Sequence, residues 1–209
     1  MGLKLIFRAT LFCCVASLAL VAGLLTWHFV EKTRIENQAR NNAQAESLDV
    51  AADISQGLAE MQKLATALAE ELSIGALKDA REVPDRLIRE LEHRPDVGAI
   101  TVAYSPQFTP GTKRNGDKRL SAPYVDWEDG KPVLKEISYD YTLPNGGAEG
   151  GLGRPDTDWY RLPFDRNEVV WGEPYYGVQS DKHWAGVGVP FYRNDVANGG
   201  KRTAGIVDV

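Results

Sequence analysis

Cysteine is scarce in this sequence, and the two cysteines are neighbours. Among 209 residues only Cys13 and Cys14 occur, both inside an apolar run. Adjacent cysteines form neither a CxxC pair nor a metal cage. The scarcity therefore excludes a disulfide framework, and it is compatible with an oxidising compartment.

Sequence signatures of enzymes are also missing. The chain has no GxSxG, HExxH, phosphate-binding loop or dinucleotide fingerprint, and its three histidines have no partners at metal-ligand spacing. Asp156, Asp158 and Asp165 form an acidic group that could do acid–base chemistry. Near a predicted helix start, such residues more often cap the helix or complement its dipole. We therefore expect no catalytic residue, no metal and no cofactor. An exported hydrolase that uses Asp156 or Asp158 is kept as the least favoured hypothesis for the function of the chain.

An excess of positive charge is absent as well. The net charge is -5, and without Lys4 and Arg8 the chain keeps 22 basic against 29 acidic residues, which is -7. An acidic domain repels phosphate backbones, so the composition argues against nucleic-acid binding.

From Ala9 to Val30 the sequence contains no Asp, Glu, Lys or Arg, and His28 is the one titratable side chain of basic type. This run is long enough to cross a bilayer, and Lys4 and Arg8 before it predict a cytoplasmic N-terminus. We expect residues 1–8 in the cytoplasm, a transmembrane helix at 9–30, and one pass through the inner membrane. A cleaved signal peptide is the alternative, with Val21–Gly23 as the cleavage site. Both interpretations place the following domain in the periplasm or outside the cell.

Residues 31–79 predict one long extracytoplasmic helix. Apolar residues recur there with a spacing of 4, 3, 4, 3 and 4, which is a heptad stripe; they are Ile54, Leu58, Met61, Ala65, Leu68 and Leu72. The stripe packs either on the sheet of its own domain, which we favour, or partly on a second copy. Pairing of the membrane-proximal half in a homodimer stays open.

The pattern from residue 80 onward is α+β. A second helix is expected from Pro84 to Arg94 and a short one at Thr157–Leu162, capped by Asp156. Five or six antiparallel strands are expected, with a hairpin turn at Asp129-Gly130 and long loops at Ser105–Leu120 and Leu143–Pro155. The predicted strands are Val97–Tyr104, Tyr124–Trp127, Val133–Ile137, Val169–Trp171, Trp184–Tyr192 and Thr203–Val209.

Aromatic residues are concentrated in the last third of the chain. They suit either a well-packed core or the wall of a small-ligand pocket, in which an aspartate could add affinity for a cationic amine. The group comprises Tyr139, Tyr141, Trp159, Tyr160, Trp171, Tyr175, Tyr176 and Trp184.

Four segments together resemble the extracellular Cache domain, a PAS-like sensor module of bacterial receptors. They are Asp158–Pro163, Trp171–Tyr176, Gly188–Phe191 and Ala204–Val209, in that order, behind an apolar anchor and a long helix. Tyr139–Tyr141 resembles the strand that precedes the first of them. The resemblance covers about residues 35–209 and implies a PAS-like antiparallel sheet.

The resemblance also implies a ligand site and a signalling role. The expected ligand-binding residues are Trp159, Tyr160, Tyr175, Tyr176, Tyr139, Tyr141 and Asp208. Amino-acid-binding members carry an Arg where this chain has Thr157 and an Asp where it has Gly177, so a small molecule other than a typical α-amino acid is expected.

We therefore predict an extracytoplasmic sensing module, residues 80–209, of a membrane-bound receptor of the chemoreceptor, sensor-kinase or serine-phosphatase type. Because a receptor normally returns to the cytoplasm, we expect either that this sequence is the sensor part of a longer chain with an output domain or that the gene is truncated. The alternative is an anchored structural or interaction module without a ligand.

Overall fold

The structure is a computed structural model that describes residues 2–77, 82–108, 121–147, 156–177, 180–195 and 199–209. The chain divides into two compact units, Met1–Gln56 and Gly57–Val209. Each unit is described by itself below.

Helix α1 spans Gly2–Ser73, and the first unit consists of its residues up to Gln56. Among the described residues, α1 contains the one stretch long and apolar enough to cross a membrane, with a mean hydropathy of 2.1 and no buried residue in the window. The helix ends at Ser73, six residues before the predicted end at 79. Gly75, at φ +73°, turns the chain away, and the N–H groups of Gly75 and Ala76 donate to the carbonyls of Leu72 and Glu71.

The second unit is built on a six-stranded antiparallel sheet with the strand order β3-β2-β1-β8-β7-β4. Its strands are β1 (Ala99–Tyr104), β2 (Pro123–Glu128), β3 (Lys131–Glu136), β4 (Val170–Trp171), β7 (Val187–Asp195) and β8 (Gly200–Asp208). Strands β5 (Tyr175–Gly177) and β6 (Lys182–Trp184) form a separate two-stranded sheet. The α+β class with an antiparallel sheet, predicted from the sequence, is confirmed.

One face of the six-stranded sheet packs against the end of α1 and against α2 (Glu82–Glu92). Leu64, Leu68 and Leu72 of α1 are buried there against strand residues such as Val102 and Val207. The own-domain packing predicted for the heptad stripe therefore holds for its later members, while Ile54 and Leu58 remain 57% and 42% exposed. Exposure of these two side chains corrects the expectation that the whole stripe is covered.

The opposite face carries helix α3 (Asp158–Arg166) and a second, aromatic core. Facing residues of neighbouring strands form one row across this face: Lys135, Tyr124, Thr101, Asp208 and Gly188. Because successive residues of a strand point to opposite faces, Val207 and Asp208 belong to the two different layers.

Local structure differs from the sequence prediction at three places. Helix α3 runs through Pro163 to Arg166, and its N-cap residue is Thr157 instead of Asp156. The carboxylate of Asp156 still accepts a 2.8 Å hydrogen bond from the N–H of Asp158. The predicted strand Trp184–Tyr192 is two strands, because the chain leaves β6 after Trp184 and enters β7 at Val187. A 3-10 helix, Pro144–Gly147, lies in the predicted loop, most of which falls outside the described residues.

Candidate ligand-binding cavity

The second unit contains a cavity of about 90 Å³ on the face of the sheet that carries α3. Its floor is the middle of the cross-sheet row, Tyr124, Thr101 and Asp208. Trp159 of α3 and Tyr139 after β3 line its side. Met61 of α1 also lines it, so one cavity touches both the sheet and the long helix.

Asp208 supplies the negative charge of the cavity. Its side chain is partly buried, and desolvation of the carboxyl group by the surrounding protein raises its pKa to about 7. In the described part of the chain, no side chain donates a hydrogen bond to this carboxylate and no lysine or arginine pairs with it. A desolvated carboxylate without a partner costs stability, which is typical of groups kept for function.

Two tyrosines face the same charge. Burial raises the pKa of Tyr139 and Tyr175, and the nearby Asp208 raises both further. Tyr139 also forms a side-chain hydrogen bond with Trp159. Both phenols therefore stay neutral across the physiological pH range and remain able to donate or accept hydrogen bonds.

The β5–β6 hairpin forms another wall of the cavity through Gly177, Ser180 and Trp184. The indole N–H of Trp184 donates to the hydroxyl of Ser180 at 2.6 Å, which fixes the ring. The ring lies against Gly98, where a Cβ atom would come within 2.6 Å of Cζ3 of Trp184. Glycine at position 98 therefore allows the indole to close this side.

A compact group of charges lies beside the cavity. The carboxylate of Asp126 is fully buried. Its oxygens lie 2.9 Å from Nζ of Lys135 and 3.8 Å from Nζ of Lys182. Lys135 also lies 3.7 Å from Glu128. Lys182 donates a 3.0 Å hydrogen bond to the carbonyl of Trp127, which ties the hairpin to β2. Two positive and two negative side chains thus balance each other here.

The sequence model of the family described as "Methyl-accepting chemotaxis protein-like, first PDC sensor domain" matches residues 84–200, more than half of the chain. The chain belongs to this family. The Cache-type sensor suggested by the sequence is thereby confirmed, and so is the role of a sensing module in signal transduction. The match is to sensor domains, so the family assigns this part of the chain no catalytic function.

Solved structures show the same fold for this PDC sensor domain. Methyl-accepting Chemotaxis protein X aligns with a TM-score of 0.58 at 18% identity, over 84% of this chain and 63% of its own. The extracellular domain of soHK1S-Z6, a candidate histidine kinase, aligns with a TM-score of 0.54 at 19% identity, over 73% of this chain and 52% of its own. The chain thus spans between half and two thirds of these structures. A comparison with curated proteins gives no match.

Four of the seven residues predicted for the ligand site line the cavity of this sensor domain: Tyr139, Trp159, Tyr175 and Asp208. The other three lie elsewhere. Tyr141 and Tyr160 are buried in the aromatic core, where the Tyr141 hydroxyl lies 2.7 Å from the carbonyl oxygen of Tyr104. Tyr176 is 42% exposed and its hydroxyl contacts Asp181. The aromatic residues therefore divide between a packed core and the lining of the cavity, and ligand binding by the cavity residues stays a prediction.

Several cavity residues were not predicted from the sequence. Tyr124 and Thr101 reach the site because their strands pair with β8 in the observed register, which motif reasoning does not supply. The alternation within β2 was a usable signal, since Tyr124 and Asp126 share a face while Val125 lies in the other core. Trp184, a member of the aromatic group noted in the sequence, also lines the cavity, and the further unpredicted lining residues are Met61, Gly98, Ala99, Ile137, Gly177, Ser180, Ala185, Gly186 and Val209.

Of the acidic residues considered for catalysis, Asp156 and Asp158 lie at the start of α3 and Asp165 in its last turn, and none of the three lines the cavity. Asp158 pairs with Arg161 at 3.8 Å and its side chain is 61% exposed. Within the described ranges, no three His, Cys, Asp or Glu side chains are close enough to hold a metal ion. Thr157, where amino-acid-binding relatives were expected to carry an arginine, is buried and donates a 3.0 Å hydrogen bond to the carbonyl of Leu143.

Proposed function

We propose that this chain is the extracytoplasmic input part of a membrane-bound receptor and that the Asp208 cavity binds its small-molecule signal. The observation that carries the proposal is the unpaired carboxylate of Asp208, enclosed by aromatic side chains in a sensor domain. Ligand sites are typically apolar cavities with a few polar groups that converge inside them. The apolar stretch in α1 supports placement in a membrane.

A ligand in the cavity would lie directly against helix α1. Met61 lines the cavity, and one turn further along α1 Leu64 and Ala65 are buried in the core under the sheet. A ligand that contacts Asp208 and Met61 together stabilises one packing of α1 against the sheet over another. Its effect on that equilibrium equals its difference in affinity for the two arrangements.

The experiment is a thermal-shift screen of the full chain in detergent, with small amines, carboxylates, amino acids and purines. Hits are repeated with Trp159→Phe and Tyr175→Phe, which alter the cavity wall. Trp171→Phe is the matched control, since Trp171 is 39% exposed and lies outside the cavity lining. Stabilisation that both wall variants weaken and the control keeps supports the proposal.

A screen without any stabilising compound favours the second candidate, an anchored interaction module without a ligand. The observation behind that candidate is a pair of exposed apolar side chains about one helical turn apart on the first unit. Val50 and Ile54 are each more than half exposed on α1. We propose that this part of α1 pairs with a second copy of the chain in a homodimer, whether or not a ligand binds.

A further inference from the structure

We propose that Trp184 sets the size limit of the Asp208 cavity and that its indole ring excludes compounds that carry a bulky aromatic substituent. This inference rests on the proposed function, because it states which small molecules the same cavity admits. Three observations support it: the place of the ring between two glycines, the contacts that hold the ring and its hairpin, and the position of Trp184 outside both described hydrophobic cores.

The indole ring of Trp184 lies against two glycines, Gly98 and Gly177, which we refer to as the glycine notch. A Cβ atom at Gly98 would come within 2.6 Å of Cζ3, on the six-membered ring. A Cβ atom at Gly177 would come within 2.6 Å of Cδ1 and Nε1, on the five-membered ring. Both ends of the indole therefore occupy space that is free only because these two positions carry no side chain.

The ring and the hairpin that carries it are both held in place. The indole N–H of Trp184 donates a 2.6 Å hydrogen bond to the hydroxyl of Ser180. Lys182, two residues before Trp184 on β6, donates to the carbonyl of Trp127 at 3.0 Å and lies 3.8 Å from the buried carboxylate of Asp126. Its Nζ also lies 5.7 Å from the centroid of the indole, within the range of a cation–π contact. Trp184 is therefore a fixed part of the cavity surface.

A role in core packing does not account for this tryptophan. Large aromatic residues such as Phe191 and Tyr141 are fully buried in the two hydrophobic cores, and in the described part of the chain Trp184 belongs to neither core. Trp184 is partly buried and lines the cavity. A large side chain in that position determines how much space a bound molecule can take.

The space beside Trp184 is small. A buried water needs roughly 10–15 Å³ of such volume, so a cavity of about 90 Å³ has room for roughly six to nine groups of that size. Trp184→Ala removes the whole bicyclic ring and leaves the glycine notch empty. Because protein interiors relax only partly after such a truncation, much of this space stays open. Apolar holes of this kind bind flat aromatic molecules.

The test uses isothermal titration of the full chain in detergent with three pairs of probes that differ only by a phenyl group. The pairs are ethylamine with 2-phenylethylamine, acetate with phenylacetate, and alanine with phenylalanine. They cover a cation, an anion and a zwitterion, so the test does not depend on the charge that the cavity prefers. We expect wild type to bind the small member of at least one pair and to bind its phenyl partner roughly tenfold or more weakly.

Two variants link the result to Trp184. Trp184→Ala should bind the phenyl member of such a pair roughly tenfold or more tightly than wild type does, because the phenyl group enters the emptied notch. Trp171→Ala removes the same type of side chain outside the cavity lining and should keep the preference of wild type. A purely structural role of Trp184 would weaken the binding of both members of a pair, whereas a size limit changes the preference between them.

The place of the ring is tested separately by thermal unfolding. Gly98→Ala should lower the melting temperature by several degrees in the wild-type background, because the added Cβ atom meets the indole. In the Trp184→Ala background the same change should have little effect, because that contact no longer exists. Free indole should raise the melting temperature of Trp184→Ala and leave that of wild type unchanged. An equal loss from Gly98→Ala in both backgrounds would contradict the proposed notch.

Failure of the size limit and failure of the sensing site give different results. If wild type binds both members of a pair equally, or if Trp184→Ala binds no phenyl member more tightly than wild type, the inference is overturned. The proposed function then still stands if a compound of the wider screen stabilises wild type and the cavity-wall variants weaken that effect. If Trp171→Ala gains the phenyl member as well, the change comes from a loosened fold and the assignment to Trp184 is overturned. If no compound of the wider screen stabilises the chain, the proposed sensing site fails too.

Discussion

At the scale of single residues, Asp208 should make the stability of the ligand-free protein depend on pH. Burial raises its pKa from an ordinary 3.8 to about 7 in the folded state. Because the folded value is the higher one, its contribution is fully favourable below pH 4 and is lost as the pH rises through 7. One pKa unit corresponds to about 1.4 kcal/mol, so the total loss is on the order of 4 kcal/mol.

Thermal unfolding of wild type and Asp208→Asn between pH 4.5 and 8 measures this loss. We expect the asparagine variant to gain stability relative to wild type over that range and to reach a plateau above pH 7. Asp158→Asn serves as the control for removal of one negative charge. Parallel curves for wild type and Asp208→Asn would show that the carboxyl group is well solvated.

Two buried tyrosines provide a second prediction at this scale. The Tyr124 hydroxyl has no hydrogen-bond partner within the described structure, whereas the Tyr141 hydroxyl lies 2.7 Å and 2.9 Å from the carbonyl oxygens of Tyr104 and Ser121. Tyr124→Phe should therefore raise the free energy of unfolding by about 1 kcal/mol, and Tyr141→Phe should lower it by about 1–2 kcal/mol. Equal losses in both variants would contradict the assignment of partners.

At the scale of elements, the end of α1 depends on the left-handed conformation of Gly75, at φ +73°. Gly75→Ala should cost about 1–2 kcal/mol, because an L-residue is strained there. Gly57→Ala, within the same helix, meets no atom within 4 Å of the added Cβ and should stabilise by about 0.5–1 kcal/mol. Unfolding midpoints of the two variants should move in opposite directions, and a shift in the same direction would argue against this helix end.

An element was predictable from the sequence when the residues that determine it are close together along the chain. The hairpin at Asp129-Gly130 was evident from two residues, and both adopt positive φ as a tight hairpin turn requires. The β5–β6 hairpin was missed because its strands are three residues each and lack alternation. It is stabilised by side-chain contacts distant in sequence, such as Lys182 with the carbonyl of Trp127.

The residues of the candidate site also divide into those that local sequence motifs indicate and those that only the folded sheet brings together. Trp159 and Tyr175 were found because short motifs carry them, and Asp208 because it closes a strand of recognisable type. Tyr124 and Thr101 become cavity residues only through the register of β2, β1 and β8. Tyr141 and Tyr160 have the same chemistry as the wall residues, and only packing assigns them to the core. Residue type therefore indicated an aromatic site, while the sheet decided its members.

At the scale of the whole molecule, we predict that two chains pair along the first unit. The exposed apolar residues of α1 support this prediction. Ile54 is 57% exposed although its side chain is large and apolar. Ala52 is also exposed, and at 3.6 residues per turn it points about 200° away around the helix. A dimer that buries Ile54 should bring the two copies of position 54 together and keep the copies of position 52 apart.

Disulfide cross-linking in membranes measures this directly. With Cys13 and Cys14 replaced by serine, Ile54→Cys should give a covalent dimer on mild oxidation, and the matched Ala52→Cys should give several-fold less. Equal, low yields at both positions would mean that this face does not pair. Adding a stabilising ligand to the Ile54→Cys protein then tests signalling, because a receptor whose cavity touches α1 at Met61 should change the cross-linking rate, whereas an inert anchor should not.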